Sequence, residues 1–310
     1  MPSLRDPDSR WSLVSRSVLL PIAAADALVR ILRFGPSVCV TTGGLVALPI
    51  VVAARVARVP VYIWEGNAVP GRVNRLLAGW SQRIGATFEG SLRALPRGRS
   101  ALSGNPIRGS LLRWTREGGR QRLGLPADER VVFVTGGSQG SAAINAAVFG
   151  AITRLVRRAI IVHHSGEAQL AQAEAKREAL AADMRARYRP YGFLREEMGA
   201  ALAAADLVVG RASSSSIAEP LAFGVPLVLV PFAAAADAHQ TANARDIVEK
   251  GAAIELRETQ LDPDRLVAVI TGLFDDPARL SRMAKAARAA GRPDAAKAIA
   301  ADVRALGRCA

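Results

Sequence analysis

The chain has 310 residues, half of them hydrophobic, and its 41 Lys and Arg against 27 Asp and Glu give a formal net charge of +14. This length and apolar content predict a globular protein with two domains of ordinary size, each with its own core. The positive charge favours an acidic partner, and an aromatic content of only 5% argues against nucleic acid as that partner, because few bases could stack on such a surface.

The cysteine content and the N-terminus bear on the compartment. The two cysteines, Cys39 and Cys309, provide no disulfide framework, so we expect free thiols in a reducing cytosol. The first residues lack the charged and apolar pattern of a secretion signal. We therefore expect a protein that acts in the cytoplasm.

The first 108 residues alternate between helical and strand-like patterns. Residues 17–34 predict a helix with a broad apolar face and several arginines, and this face either packs on a core or rests on an anionic membrane surface. Strands are predicted at residues 38–42, 61–65 and 85–88, with helices between them. This alternation indicates a parallel β-sheet with helices on both faces.

A glycine-rich turn separates a strand pattern from a helix pattern in the middle of the chain. Residues 131–135 form an apolar, mostly β-branched run, and apolar residues recur at helical spacing over residues 142–156. Such a turn can be an ordinary connection, or it can present backbone N–H groups to a phosphate at the start of the helix. The candidate phosphate-binding residues are Gly137, Ser138 and Gln139.

The predicted second domain covers residues 109–293, after a polar and Arg-rich stretch that marks the junction. Its predicted strands are at residues 131–135, 159–163, 187–190, 206–210, 226–230 and 252–256, with Ala-rich helical patterns between them. Alternating units of this kind predict a doubly wound sheet whose ligand lies outside the carboxyl ends of the strands. Residues 294–310 are a separate C-terminal segment that contains a basic, amphipathic helix.

Polar side chains follow several of these strands, and their spacing leaves two interpretations open. Ser216 and Glu219 have the spacing of a capping box, in which both side chains satisfy N–H groups at the start of a helix. Alternatively, Glu219 accepts hydrogen bonds from the two hydroxyls of a ribose. His163 and His164 are expected to be structural. No cluster has the ligand spacing of a zinc site, so neither a metal nor a cofactor is expected.

Seven short motifs occur in a fixed order along the chain. They are Gly43-Gly44, Glu65-Gly-Asn67, Gly104-Asn-Pro-Ile-Arg108, Gly136-Gly-Ser-Gln-Gly140, His164-Ser-Gly166, Arg211 to Glu219, and Asp237 to Asn243. Together they resemble the MurG family of bacterial glycosyltransferases, and the resemblance extends from about residue 17 to the C-terminus. It implies an α/β protein with the GT-B fold, in which two Rossmann-like doubly wound domains face a cleft.

The same resemblance implies an activity. Family members are inverting transferases that move N-acetylglucosamine from UDP-GlcNAc to undecaprenyl-pyrophosphoryl-MurNAc-pentapeptide, which converts lipid I to lipid II in peptidoglycan biosynthesis. They act as peripheral proteins at the cytoplasmic face of the plasma membrane. The implied partners are therefore UDP-GlcNAc, undecaprenyl-linked lipid I and an anionic membrane surface.

The family's donor site can be carried over residue by residue. It falls on Asn67, Arg108, Ser138, Leu194, Ser214, Ser215, Ser216, Glu219 and Gln240. By this resemblance Glu219 binds the ribose hydroxyls, Leu194 borders the uracil, and Gln240 contacts the sugar. Arg108 and Ser138 contact the nucleotide. From its position alone, Gln240 is better explained as a surface residue at the start of a helix.

The chain departs from the family pattern in its first domain. Family members begin with a strand and a loop of the type Gly-x-Gly-Gly-His, whose histidine is a proposed base, and this pattern does not occur before residue 17. We therefore expect a truncated first domain over residues 1–108, either in a fragment or in a subunit whose partner supplies the missing N-terminal half. The alternative functions are a non-catalytic or partner-dependent UDP-sugar-binding subunit, and a GT-B transferase with another acceptor.

Overall fold

The structure, a computed structural model, describes residues 10–233 and 238–308, with side chains from residue 19 onward. Asp237 and Cys309, which the sequence singled out, lie outside the described residues. The described chain divides into two compact units. The first comprises residues 10–66, 70–103 and 297–308, and the second comprises residues 67–69 and 104–296. The longest stretch of the second unit begins at Gly104, and the domain junction at residue 109 stays a prediction.

The first unit is built on a four-stranded parallel sheet in the order β1-β2-β3-β4. Its elements are α1 (Arg10–Phe34), β1 (Cys39–Thr41), α2 (Ala47–Val56), β2 (Val61–Glu65), α3 (Arg72–Ala78), β3 (Arg83–Ala86), α4 (Glu89–Leu92) and β4 (Ser100–Leu102). Val51 of α2, Ile63 of β2, Leu77 of α3 and Ile84 of β3 form the centre of its core. The helix predicted at residues 17–34 and the three predicted strands are present. Strand β4 was not predicted.

A buried carboxylate holds together the turns at the carboxyl ends of β1 and β2. Glu65 accepts a hydrogen bond from the side-chain amide of Asn74 at 2.8 Å and another from the Gly71 N–H at 3.0 Å. The Asn74 side chain in turn lies against Gly43, where a Cβ atom would be only 1.9 Å from Asn74 Oδ1. Gly43 also has a φ of +89°, so both space and backbone conformation require glycine there.

The second unit contains a six-stranded parallel sheet. Its elements are α5 (Gly109–Leu112), α6 (Arg116–Arg122), β5 (Val131–Thr135), α7 (Ala142–Leu155), β6 (Ile160–His164), α8 (Leu170–Glu178), β7 (Tyr188–Tyr191), α9 (Glu197–Ala204), β8 (Leu207–Gly210), α10 (Ser214–Ala222), β9 (Leu227–Leu229), α11 (His239–Glu249), β10 (Ala253–Glu255), α12 (Pro263–Phe274) and α13 (Pro277–Ala290). All six predicted strands are present.

The strand order of the second unit is β7-β6-β5-β8-β9-β10. The chain therefore winds outward from β5 in one direction, returns, and winds outward from β8 in the other. This is the order of a dinucleotide-binding Rossmann sheet, and the point of reversal lies between β5 and β8. Thr135 at the end of β5 pairs in register with Gly210 at the end of β8. A crevice is expected at this end of the sheet, because the loops after the two strands run apart.

Hydrophobic spacing explains why β5 and α7 form as predicted. Every residue of β5 is buried, as expected for a central strand that is covered on both faces. In α7, the buried side chains of Ile144, Val148, Ile152 and Leu155 recur at helical spacing on one side. The predicted α/β class, with a parallel sheet in each of two units, is confirmed.

The last helix, α14 (Ala295–Arg308), packs on the first unit. Its residue Asp302 pairs with Arg83 at 3.1 Å, and Gly307 lies against Ser37 and Val38. Within the described residues, every helix is too short or too polar to cross a lipid bilayer.

Candidate functional site

A pocket of about 850 Å³ lies at the carboxyl ends of β5 and β8, within the second unit. Seven of the residues that the sequence singled out line it, namely Arg108, Gly137, Ser138, Leu194, Ser215, Ser216 and Glu219. Gln139, Ser214, Asn67 and Gln240 are not part of its lining. The pocket is therefore where the strand order leads one to expect a ligand, at the switch point of the sheet.

The glycine-rich turn forms one wall of this pocket. A Cβ atom at Gly140 would lie 2.1 Å from the Ser165 carbonyl oxygen, and one at Gly136 would lie 2.2 Å from the Ser141 nitrogen. The turn therefore packs directly on the loop after β6, and only glycine fits there. Ser141 caps α7 by accepting a hydrogen bond from the Ile144 N–H. The predicted sequence of strand, tight turn and helix is confirmed.

A buried network fixes the loop against which this turn packs. His163, which is fully buried, contacts the Tyr188 hydroxyl at 2.9 Å and the Asn145 side-chain oxygen at 3.0 Å. Asn145 donates to the Ser165 carbonyl oxygen at 2.7 Å. Burial lowers the pKa of His163 to about 3, and the neighbouring His164 adds to this effect. His163 is thus a neutral residue of the core that positions the Ser165 loop.

His164 lies in the wall of the pocket itself. Its Nδ1 atom contacts the Thr135 hydroxyl at 3.2 Å, and its ring meets that of Phe193 edge-on at 5.8 Å. Burial lowers the pKa of His164, against opposing contributions from the Gly192 backbone and Glu167. The imidazole therefore joins the ends of β5 and β6 to the residues that follow β7.

Helix α10 brings the serine run and Glu219 to the opposite wall. Its N-cap is Ser213, whose hydroxyl accepts a hydrogen bond from the Ser216 N–H at 3.2 Å. The capping-box interpretation of Ser216 and Glu219 is therefore wrong. Ser213 is the first of four adjacent serines and takes the cap, which leaves Ser216 inside the helix.

Glu219 faces the pocket from the middle of α10. Burial raises the pKa of this carboxyl group, and the positive charge of Arg108 opposes the rise. No donor within residues 10–233 and 238–308 makes a hydrogen bond to the Glu219 carboxylate. A carboxylate in this position accepts hydrogen bonds from a ligand at a smaller desolvation cost than an exposed one, because part of its hydration is already lost.

Gln240 and Asn67 belong to the surroundings of the pocket. The side-chain oxygen of Gln240 accepts hydrogen bonds from the Ala212 N–H at 3.3 Å and the Phe232 N–H at 2.9 Å, so it joins the loops after β8 and β9. Among the described residues its amide NH₂ group has no acceptor, so it is available as a donor. The buried Asn243 accepts from the Ala68 N–H at 2.7 Å and donates to Asn67 Oδ1 at 3.3 Å.

The pocket also contains residues that sequence reasoning did not assign. Thr135, His164, Phe193 and Met198 all line it. Phe193 is 45% exposed, and the Arg195 guanidinium lies 5.6 Å from its ring centre. Their positions in the sequence could have indicated this, because Thr135, His164 and Phe193 end or follow neighbouring strands of a parallel sheet. In the part of the chain that the structure describes, no group of three or more His, Cys, Asp or Glu side chains is placed to hold a metal ion.

A parallel sheet in this order, with a glycine-rich turn and a capped helix at its switch point, defines a Rossmann-like domain of the nucleotide-binding class. Comparison with family models is more specific. Residues 131–299 match the glycosyltransferase family 28 C-terminal domain, and residues 14–86 match the glycosyltransferase family 28 N-terminal domain. The chain belongs to glycosyltransferase family 28.

Two curated relatives carry the same name, UDP-N-acetylglucosamine--N-acetylmuramyl-(pentapeptide) pyrophosphoryl-undecaprenol N-acetylglucosamine transferase. The protein from Alkalilimnicola ehrlichii is 40% identical over 302 residues, which are 96% of this chain and 81% of that protein. The protein from Nitratidesulfovibrio vulgaris is 39% identical over 267 residues, which are 86% of this chain and 72% of that protein.

Solved structures agree with this assignment. The crystal structure of Acinetobacter baumannii MurG matches with a TM-score of 0.76 and 26% identity, over 98% of this chain and 83% of that chain. Staphylococcus aureus MnaA in complex with UDP matches with a TM-score of 0.65 and 12% identity, over 96% of this chain and 80% of that chain. At this low identity the match shows a common fold alone. The predicted resemblance to the MurG family and the predicted GT-B fold are confirmed.

Proposed function

We propose that this chain transfers N-acetylglucosamine from UDP-GlcNAc to undecaprenyl-pyrophosphoryl-MurNAc-pentapeptide, the step that converts lipid I to lipid II in peptidoglycan biosynthesis. One observation carries the proposal. The pocket at the switch point combines a glycine-rich turn, Arg108 and a half-buried Glu219 in a chain that is 40% identical to a relative named for this transfer.

Each wall of the pocket suits one part of UDP-GlcNAc. The turn offers the backbone N–H and the hydroxyl of Ser138 to the diphosphate, and Arg108 adds a positive charge. The Gly137 N–H donates to the Thr135 hydroxyl at 3.1 Å, which fixes the conformation of the turn. Glu219 is a carboxylate acceptor of the kind that binds both ribose hydroxyls in Rossmann domains. The buried Leu194 provides an apolar surface beside which the uracil can lie.

These residues also support a chemical step. When UDP leaves the anomeric carbon of the donor sugar, negative charge develops on the diphosphate. Donors that are already fixed in place stabilise this charge as it forms, without reorganisation at the moment of reaction. The acceptor hydroxyl attacks from the opposite face of the sugar, so the α-linked donor gives a β-linked product. A general base that accepts the hydroxyl proton would assist this attack.

The proposal is tested by the Glu219→Ala variant. We expect its affinity for UDP to fall about tenfold or more, because a charged acceptor of two hydrogen bonds is lost. Glu249→Ala, which removes an exposed carboxylate from α11, is the matched control and should bind UDP as the unmodified chain does. Calorimetry gives the affinities, and disaccharide formation from UDP-GlcNAc and a lipid I analogue gives the activity. Equal UDP affinity in the two variants would contradict the proposed nucleotide site.

A specific feature of the first unit favours a second candidate, a UDP-sugar-binding subunit that needs a partner for turnover. Among the described residues, β1 pairs with β2 alone. Val40 of β1, Leu45, Val46 and Val56 nearby are 52%, 58%, 73% and 64% exposed. An edge strand with apolar neighbours is a surface on which another polypeptide can add a strand.

The two candidates differ in turnover, not in UDP binding. The chain is assayed alone and mixed with the part of the A. ehrlichii relative that lies outside the 302 aligned residues. Disaccharide formed by the chain alone supports the first candidate. Disaccharide formed only in the mixture supports the second. Transfer to other lipid or small-molecule acceptors, but not to the lipid I analogue, would instead indicate a GT-B transferase with another acceptor.

We further propose that the chain binds the cytoplasmic surface of the plasma membrane as a peripheral protein. Helix α1 exposes apolar side chains along its described length, namely Leu19, Ile22, Val29, Leu32 and Phe34. Arg30 and Arg33 lie on the same helix, so apolar burial and attraction to anionic lipids would act together. Flotation with vesicles tests this. Binding should increase with the fraction of anionic lipid, and binding that is independent of lipid charge would contradict the proposal.

A further inference from the structure

A second cavity, of about 430 Å³, lies at the opposite end of the sheet in the second unit. Ala205 and Asp206, which precede β8, and Val225 and Pro226, which precede β9, contribute to its lining. The nucleotide pocket lies after the carboxyl ends of β5 and β8, whereas this cavity lies before the amino ends of β8 and β9. The two are therefore separate sites of the same unit.

Arginine side chains dominate the polar lining of this cavity. Arg116 of α6, Arg130 before β5 and Arg288 of α13 all line it, together with a single acidic residue, Asp206. Asp206 pairs with Arg116 at 2.7 Å, with Arg120 at 3.1 Å and with Arg130 at 3.7 Å. One carboxylate thus shares its charge among three guanidinium groups, and the site keeps an excess of positive charge.

The buried Arg120 shows the effect of this excess. Its side chain is 5% exposed, and burial lowers its pKa. The positive charges of Arg116 and Arg130 lower the pKa further, while Asp206 and Asp128 oppose them. An additional anion near these guanidinium groups would relieve their mutual repulsion.

Arg288 has a different environment from the other arginines. No carboxylate among residues 10–233 and 238–308 lies within ion-pair distance of its guanidinium group. Its side chain lies over Gly224, where a Cβ atom would be 3.1 Å from Nε and 3.2 Å from Nη2. Arg288 is exposed, so its guanidinium group lines the cavity without a partner of opposite charge among the described residues and is accessible to an anion from solution.

We propose that this cavity is a binding site for a phosphate group, carried either by inorganic phosphate or by a small phosphomonoester, with Arg288 and Arg130 as its main ligands. Guanidinium groups bind phosphate oxygens through paired, charge-assisted hydrogen bonds. Phe223, Pro226 and Leu280 form an apolar part of the lining, against which the organic part of a phosphomonoester can pack. The site is distinct from the one proposed for UDP, and its existence does not depend on the transferase activity.

Equilibrium dialysis of the full chain against radiolabelled inorganic phosphate tests the proposal. Dialysis is carried out without UDP and repeated with UDP at a constant concentration that occupies the nucleotide pocket, and sodium chloride is adjusted to keep the ionic strength constant. The Arg288→Gln variant should bind phosphate about tenfold more weakly or worse, because one charge-assisted contact is lost. Arg282→Gln, on the same helix but outside the lining of the cavity, should bind as the unmodified chain does.

Further measurements complete the test. Thermal unfolding and UDP binding of both variants establish that they are folded. The absence of saturable phosphate binding by the unmodified chain, or equal binding by the two variants, would overturn the proposal. Because the comparison is between the two variants, it remains decisive even if UDP does not bind. A parallel titration with phenyl phosphate distinguishes the sources. If phenyl phosphate binds more tightly than inorganic phosphate, the natural ligand is a phosphomonoester, and if the two bind equally, it is inorganic phosphate. In either case Arg288→Gln must bind the ligand more weakly than the unmodified chain.

Discussion

The substitution Gly140→Ala tests how the glycine-rich turn is packed. Gly140 has a φ of +75°, and a methyl group there would lie 2.1 Å from the Ser165 carbonyl oxygen. The turn and the loop after β6 must then move apart until this distance reaches at least 3.4 Å, the start of ordinary contact. Because Asn145 holds the Ser165 carbonyl oxygen through a hydrogen bond, this movement also disturbs the buried network of His163.

Two costs add up in this variant. The left-handed backbone conformation costs a residue with a Cβ atom about 1–2 kcal/mol, and forcing extra atoms into a packed interior costs about 1–3 kcal/mol. The reduced flexibility of the unfolded chain returns about 0.4–1 kcal/mol. We therefore expect Gly140→Ala to lower the free energy of unfolding by about 3 kcal/mol. UDP affinity should fall as well, because the turn that we propose to bind the diphosphate is displaced.

Gly251→Ala is the matched control for this measurement. Gly251 has the same φ of +75°, but a methyl group there would meet no atom within 4 Å. Only the backbone cost then remains, so the loss should be about 1 kcal/mol. Urea unfolding at 25 °C measures both variants, and calorimetry with UDP follows. Equal destabilisation of the two variants would show that the contact between Gly140 and Ser165 does not constrain the turn.

Three further predictions concern single side chains. Ser213→Ala should lower the free energy of unfolding by about 1 kcal/mol in urea, because the N-cap of α10 is lost, whereas Ser214→Ala should have little effect. Glu129→Gln removes the negative charge and one of the two oxygens that accept hydrogen bonds from Arg187, at 2.6 Å and 2.8 Å. These bonds hold the pKa of Glu129 below its ordinary value of 4.5, so their stabilisation is present above that value. Since the pair is partly exposed, the loss at pH 7 should be below about 1 kcal/mol, and it should vanish in acid unfolding titrations as the pH falls through the lowered pKa. Glu219→Gln should raise the melting temperature at pH 7 while weakening UDP binding. Burial raises the pKa of Glu219, so its charge destabilises the folded state at any pH well above that pKa, and the gain should disappear at acid pH, where the carboxyl group is protonated in both states.

Local patterns in the sequence were sufficient to predict most of the fold. The strand at residues 131–135 and the helix after it are visible because β5 is apolar throughout and α7 repeats its apolar side chains at helical spacing. Strand β4 was not predicted, because Ser100–Leu102 is only three residues long and carries no β-branched side chain. Its extended conformation is set by pairing with β3, which is a tertiary contact.

The candidate site was predictable where its residues lie in one turn and less so where distant segments meet. Gly137 and Ser138 follow a strand directly, so their position at the pocket could be inferred. The four serines at 213–216 offer the same hydroxyl chemistry, and the sequence did not indicate which of them caps the helix. His164 and Phe193 meet because β6 pairs with β7, with His164 opposite Tyr191. A contact that depends on strand pairing has no signature in the spacing of either segment.

The packing of Asn74 between Gly43 and the buried Glu65 in the first unit has an evolutionary consequence. Asn74 fills the space that a side chain at position 43 would need, and it also donates to the buried Glu65. A larger residue at position 43 is therefore compatible only with a smaller residue at position 74. If Asn74 is lost, the Glu65 carboxylate loses one of its hydrogen-bond donors. We expect the three positions to change together in homologous proteins, and a homologue that differs from this chain at position 43 alone would contradict this.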